Sequence, residues 1–391
     1  MNIPFNPPVT LLGRTIGRQP HRVFGILEPD RLFHTYIIGQ TGTGKSTLMG
    51  SMVRQDIANG RGFGLIDPHG DLSGEVAELI GDGGIHWNLA DPACPYGYNP
   101  LTYVAAEYRP LVASGLIDTL KKQWAEAWGV RMEHLLRHAI LALLDRPGST
   151  LRDIMPMFIR KAFRQEVLAF VEDPEVRCFW EHEFPTMNYR TAFDGVAPIA
   201  NKLGGFLSHP LVRNALCDPA EPLRFRAIID QGTPLVISLP KGKLGVDITN
   251  IVGGLVVSMM AQAAYTRHNI PEPDRRPYYL YLDEFHSFTT DAFAGMLSEL
   301  RKYKLGLILA HQHTSQINRD TLDAILGNTG TQITFRLGPT DSALFAKGMN
   351  KAEPIDLMQL PNHRMLCKLM VKGEQSREFS AVSQISTETL I

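Results

Sequence analysis

Three observations in this sequence predict an α/β fold with a mainly parallel sheet. Gly39-Gln40-Thr41-Gly42-Thr43-Gly44-Lys45-Ser46, followed by Thr47, fits the G-x-x-x-x-G-K-[ST] phosphate loop at every fixed position. Short apolar runs alternate with helical patterns on both sides of it, which is how parallel sheets are built. Several of those runs also end in polar residues, at the strand end where open α/β sheets place ligands.

In chain order, Arg22 to Ile26 reads as a short strand within a Pro- and Gly-bearing lead-in, residues 1–33. Thr35 to Ile38 is a buried strand and Lys45 to Asn59 a helix, the context that a phosphate loop needs. Gly62 to Asp67 is a strand broken by Pro68-His69-Gly70, and a helix over Leu72 to Ile80 leads to a strand at Ile85 to Leu89. From about Val104 the β-branched runs disappear. Segments such as Val130 to Leu144 and Arg160 to Val171 carry apolar residues at helical spacing, so residues 104–226 are expected to form an inserted all-helical domain. Ser149 or Thr150 and Asp173 are its candidate N-caps.

The α/β pattern resumes at the strand Pro234 to Leu239, closed by Pro240-Lys241-Gly242-Lys243, with a helix from Asp247 to Arg267. Tyr278 to Glu284 is a strand ending in two carboxylates. Next come a helix from Phe293 to Lys302, a strand from Leu305 to Ala310 with the polar tip His311-Gln312-His313, a helix near Asn318 to Leu326 and a strand from Gln332 to Leu337. Arg364 to Val371 and Arg377 to Val382 read as a terminal hairpin. Residues 34–103 and 227–391 are thus expected to form one discontinuous nucleotide-binding domain.

The 391 residues, 44% hydrophobic and 20% charged, suit two or three globular units without disorder. With 39 basic against 40 acidic residues, any nucleic-acid contact must come from local clusters and not from a global field. Cys94, Cys178, Cys217 and Cys367 lie far apart with no C-x-x-C spacing, which argues against a zinc ribbon or a disulfide framework and for a reducing, cytoplasmic setting. The first residues have neither a basic n-region nor an apolar h-region. The most apolar helical run, Ile251 to Ala264, is shorter than the ~20 residues a membrane span needs and reads as a core helix.

The loop residues Gly39 to Thr47 point to a nucleoside triphosphate: backbone N–H groups cradle phosphate, Lys45 neutralises it and Ser46 ligates Mg²⁺. Asp283 is the candidate second anchor of Mg²⁺, and Glu284 the group that polarises water. Alone, an Asp-Glu pair at a strand end reads more readily as a solvated turn than as a site; the loop upstream decides for chemistry. Gln312 is expected to sense the terminal phosphate. Arg301 and Arg336 are the candidate arginine fingers, each with a surface ion pair as its alternative. His134 and His138 share a helix face without an evident third metal ligand, so they read as a plain helix face. Lys241 and Lys243 are the first candidates for phosphate contacts to nucleic acid, with Lys121-Lys122 and Arg160-Lys161 plus Arg164 behind them.

Five blocks carry a resemblance: Gln40 to Ser46, Ile66 to Leu72, Leu282-Asp283-Glu284-Phe285, Leu309 to Gln312 and Thr334 to Gly338. In this order, with Asn201-Lys202-Leu203 and Pro240 to Gly245, they resemble conjugative type IV coupling proteins and their HerA/FtsK-type DNA-pumping relatives. The resemblance spans about His34 to Val371 and implies a RecA-like core and an ATPase. It further implies a ring, a homo-hexamer, that translocates DNA in conjugative transfer, with relaxase or secretion-channel proteins as partners. Type IV secretion ATPases that move protein substrates, and HerA-like motors of DNA end processing, are the alternatives that it leaves open. Coupling proteins usually begin with a transmembrane pair and HerA proteins with a β-barrel; residues 1–33 are expected to hold neither, so any membrane association is expected to be peripheral, through partners.

Overall fold

The computed structural model describes residues 8–16, 22–102, 104–187, 189–290, 292–348 and 353–383. Strands β1 (Val9–Thr15), β2 (Val23–Leu27), β3 (Thr35–Ile38), β4 (Gly62–Asp67) and β5 (Ile85–Asn88) come first. They are followed by the two-residue strands β6 (Tyr96–Gly97) and β7 (Glu221–Pro222). The series ends with β8 (Leu235–Ser238), β9 (Tyr278–Leu282), β10 (Leu305–His311), β11 (Thr331–Thr334), β12 (Arg364–Lys368), β13 (Met370–Val371), β14 (Glu374–Gln375) and β15 (Phe379–Val382).

Eleven of them make one sheet, ordered β2-β1-β15-β12-β11-β3-β10-β9-β4-β8-β5. Its centre, from β11 through β3, β10, β9 and β4 to β8, is parallel, as expected. One flank departs from that expectation: β2, β1, β15, β12 and β11 pair antiparallel, so the sheet is mixed. The physical reason is connection length, since β1 to β2 and β12 to β15 return without the crossover helix that a parallel pair needs. The lead-in contributes two strands rather than the one its sequence suggests. Every residue of β3, β4, β8, β9 and β10 is buried, the pattern of strands covered on both faces.

Contacts divide the chain into two units, residues 1–86, 226–238 and 263–391 in one, residues 87–225 and 239–262 in the other. In the first, the helix Lys45–Ala58 packs Leu48, Met49, Met52 and Val53 onto Ile37, Phe63 and Leu65 of the central strands. Beneath its C-terminal end Arg31 is buried, donating to Asp56 at 2.6 and 2.8 Å and to the Tyr281 hydroxyl at 2.7 Å. The second unit is mostly helical, with Arg109–Gln123, Val130–Asp145 and Tyr189–Ser208 its longest elements besides the helix from Val246. Two expected caps are seen there: Thr150 closes a capping box with Asp153, and Asp173 accepts from the N–H groups of Glu175 and Val176.

The apolar helix runs from Val246 to Tyr265, longer than the stretch its hydropathy marks. Val246–Asn269 reaches a mean hydropathy of 1.3 and is long and apolar enough to cross a membrane by length and composition, yet 72% of that window is buried inside the protein. Two helices that the pattern does not announce, Pro339–Lys347 and Pro354–Met358, fill the span between β11 and β12. Both start on a Pro in the first turn, where its missing N–H costs nothing.

Candidate nucleotide site

Strand register collects the chemistry on one edge of the sheet. Ile38 pairs with His311 and with Thr334, and Leu282 pairs with Leu309 and with Ile66. The loops that follow β3, β10, β11, β9 and β4 therefore leave from the same side, and all five blocks that the sequence singles out lie there.

The phosphate loop is shaped by backbone as much as by side chains. Gly42 and Gly44 hold φ of 76° and 119°, in the left-handed region open to glycine. A Cβ on Gly39 would meet that of Phe335 at 2.5 Å. The Gly39 N–H donates to the His311 carbonyl at 3.4 Å and the Gln40 N–H to the Arg336 carbonyl at 2.9 Å, which ties the loop to the ends of β10 and β11. Lys45 Nζ turns back on the loop, donating to the carbonyls of Gly39 at 2.6 Å and Gln40 at 3.2 Å. Burial lowers the pKa of this amine, and the fields of Glu284 and Asp283 oppose that. Gln40, Thr41, Gly42, Ser46 and Thr47 are exposed, so the loop's outer rim faces solvent.

Ser46 Oγ donates to Asp283 Oδ2 at 3.4 Å. Asp283 is held by its own N–H on the Ile66 carbonyl, and its carboxyl pKa is pushed up to about 6, by burial first and then by the charges of Glu284 and Asp67. Glu284 has φ 47° and ψ 46°, a left-handed conformation uncommon for a residue with a side chain. Its Oε1 accepts from Gln312 Nε2 at 2.8 Å, and its Oε2 lies 3.4 Å from His286 Nδ1. Ser46, Asp283, Glu284 and Gln312 are thus linked by hydrogen bonds, with Lys45 in the field of the two carboxylates.

The two arginines separate. Arg336 Nε donates to Gln40 Oε1 at 3.2 Å and its Nη1 to the Leu360 carbonyl at 3.3 Å, so it lies on this chain's own loop. Arg301 stacks over the Phe33 ring at 3.3 Å, ahead of β10 and β3 and so at the opposite edge of the sheet. The seven residues of β10 put roughly 20 Å between those edges. In the second unit, Lys243 is exposed on the helical turn Lys241–Leu244. Lys121 is paired with Glu133, while Arg160 and Lys161 are exposed. Arg164 is committed to its own unit, donating to the Met157 carbonyl and lying over Phe184 and Trp180. His138 stacks on Phe179 at 3.9 Å, and among the described residues no group of three His, Cys, Asp or Glu side chains is placed to hold a metal.

Sequence reasoning missed three supports of the site. Tyr36 and His311 pair at 2.5 Å beneath the loop, and burial, then repulsion from His286, His313 and Lys45, presses the His311 pKa down to about 3, leaving it neutral. Asp67 accepts from the N–H groups of His69, in the loop, and Ser73, in the first turn of the helix Asp71–Ile80. His363, from the turn before β12, donates its N–H to the Thr43 carbonyl at 2.8 Å. Asp67 was legible as a strand-end acid; His363 has no signal in the sequence beyond the tolerance of His for φ > 0.

Together, a phosphate loop, a hydroxyl beside a carboxylate, and a second carboxylate held by an amide define a P-loop protein of the ATPase class. Residues 27–83 match the family model described as the central domain of helicase HerA, and residues 277–347 that described as the TraM recognition site of TraD and TraG. Among solved structures, the conjugative coupling protein TrwB with a non-hydrolysable ATP analogue is similar at TM-score 0.67 and 16% identity, over 97% of this chain and 96% of that one. TrwB with ADP and Mg²⁺ gives 0.66 and 15% over the same shares. VirB4 of Thermoanaerobacter pseudethanolicus gives 0.62 and 14%, over 98% of each chain. No curated protein sequence matches. Two stretches of the chain thus match models of the TraD/TraG and HerA families, and its fold is that of TrwB and VirB4.

Proposed function

We propose that this chain is an ATP-driven DNA translocase of the coupling-protein kind, working in conjugative transfer as a ring of six copies. The observation that carries the nucleotide part is the group Lys45, Ser46, Asp283, Glu284 and Gln312 at one edge of the sheet. In this reading Lys45 exchanges the loop carbonyls for the β- and γ-phosphates of ATP, and the loop N–H groups hold their oxygens. Ser46 and Asp283 fit Mg²⁺: a hydroxyl stands beside a carboxylate whose raised pKa records crowded negative charge, which a divalent cation relieves. When bound, the ion would neutralise charge that develops on the phosphates. Glu284 orients the attacking water and takes up its proton. Gln312, bonded to Glu284, reports the terminal phosphate to the chain after β10. Arg336 serves the loop of its own subunit, and Arg301 that of a neighbour.

The DNA part rests on the two family matches and on TrwB being a plasmid coupling protein. Lys241 and Lys243 are assigned to phosphates of the DNA, residues 104–226 to an inserted helical domain, and relaxase or secretion-channel proteins to the partners. The protein is placed in the cytoplasm, peripheral to the inner membrane through those partners. The likeness to VirB4 supports a second reading, an ATPase that acts on polypeptide. Displacement of a third strand from a triplex-bearing DNA decides between them. Wild type with ATP and Mg²⁺ is expected to release it and Glu284→Gln to leave it in place; release by neither, with a peptide substrate raising ATP turnover instead, would favour the second reading.

A further inference from the structure

The strap that leads into β12 reaches the phosphate loop at two points. Arg336 bridges the Gln40 side chain to the Leu360 carbonyl, and the His363 N–H holds the Thr43 carbonyl. His363 does this at φ 64°, a left-handed conformation that a non-glycine residue keeps only where its surroundings impose it. Its Nδ1 lies 2.9 Å from where a Cβ of Gly44 would stand, so the imidazole fills the space behind the last glycine of the loop. That nitrogen is buried and has no hydrogen-bond partner within the chain. On the other side, the His363 carbonyl accepts from the Ser383 N–H at 2.9 Å, just past the end of β15.

We propose that His363 is a positioning residue for nucleotide binding: it fixes the Thr43–Gly44 turn in the shape that receives phosphate and ties that turn to the antiparallel flank of the sheet. The inference rests on the nucleotide reading above and goes beyond it, because it brings the terminal strand pair into the ATP site. Small errors in where loop N–H groups point cost binding steeply, and a bulky ring behind Gly44 limits such errors.

The test is titration of a fluorescent ATP analogue with Mg²⁺ into full-length wild type, His363→Ala, His363→Gly and His363→Asn, with steady-state kinetics on each. Asn tolerates φ > 0 and keeps a polar group, and Gly removes backbone strain together with the ring. Expected are affinities about tenfold weaker for Ala and Gly, KM for ATP raised to match with kcat within about twofold, and recovery to within about threefold of wild type in Asn. Ala and Gly variants that bind like wild type would overturn the assignment. So would a Gly variant that alone retains wild-type affinity, since backbone conformation would then be the whole effect. A wild type that binds no analogue would overturn the nucleotide reading itself, and this inference with it, whereas the first two outcomes leave that reading intact.

Discussion

Asp283 sits where burial, Glu284 and Asp67 all oppose its charge, and its pKa rises from 3.8 to about 6. The sign of the consequence follows from linkage: a carboxyl whose pKa is raised by folding favours the folded state below its unfolded pKa, and that advantage is lost as pH climbs through the folded one. Between pH 4 and pH 6 the folded protein therefore loses roughly 3 kcal/mol that a neutral group in its place would keep. Asp283→Asn is expected to raise the melting temperature at pH 8 in the absence of Mg²⁺ and nucleotide, with a gain that shrinks as pH falls through 6 towards 4. A melting temperature for Asp283→Asn below that of wild type at pH 8 would contradict this account of the site's electrostatics. The same residue is proposed as a Mg²⁺ anchor, so stability gained here is function given up. Much of the site was legible at this scale because its chemistry is local in sequence: Gly39 to Thr47 needs only its own spacing, and Asp283-Glu284 a strand before it and that loop upstream. Gln312 was legible as a strand tip, but its bond to Glu284 was not, since that depends on β9 and β10 being neighbours.

Among the elements, the helix Lys45–Ala58 is pinned at both ends. Its first residue closes the loop, and near its last turn Asp56 takes both Arg31 nitrogens and, at 2.5 Å, the Tyr281 hydroxyl of β9. Arg31 is 1% exposed, so removing Asp56 would leave a guanidinium buried beside Tyr279 and Tyr281 with no carboxylate to balance its charge at that distance. Asp56→Ala is expected to cost roughly 3–5 kcal/mol in chemical denaturation, with the site residues untouched by sequence. A loss under about 1 kcal/mol would mean that the network relaxes without the carboxylate. The parallel strands were readable because each is an unbroken apolar run between polar ends. β1 was not: Val9 to Thr15 mixes Gly13 and Arg14 into a strand at the sheet's antiparallel flank, where pairing with β15, more than 360 residues away, supplies what the local pattern lacks. Pro339–Lys347 escaped notice because its apolar positions, Leu344 and Phe345 among them, are too few to mark a stripe.

For the whole molecule, the sheet has a site edge and an opposite edge, and the two candidate arginines divide between them. Arg336 touches Gln40 of its own loop, whereas Arg301 lies against Phe33 at the other end of β3 and β10. In the ring proposed above, Arg301 would act on the loop of another copy and not on its own. Sequence could name both residues, but the contacts that part them, Arg336 on Gln40 and Arg301 on Phe33, depend on β3 lying between β10 and β11. The second unit begins at Trp87, ahead of the shift in character near Val104, and the return of residues 239–262 to it is set by packing that no local pattern records. The central claim is that ATP hydrolysis at the Lys45 loop is coupled to DNA. Steady-state phosphate release by wild type and Glu284→Gln, each with and without single- and double-stranded DNA, tests it most directly. The account predicts a wild-type rate raised by at least one form of DNA, and a variant that still binds nucleotide but turns over at least about 100-fold more slowly. A rate that neither form of DNA changes, or a variant as fast as wild type, would contradict it.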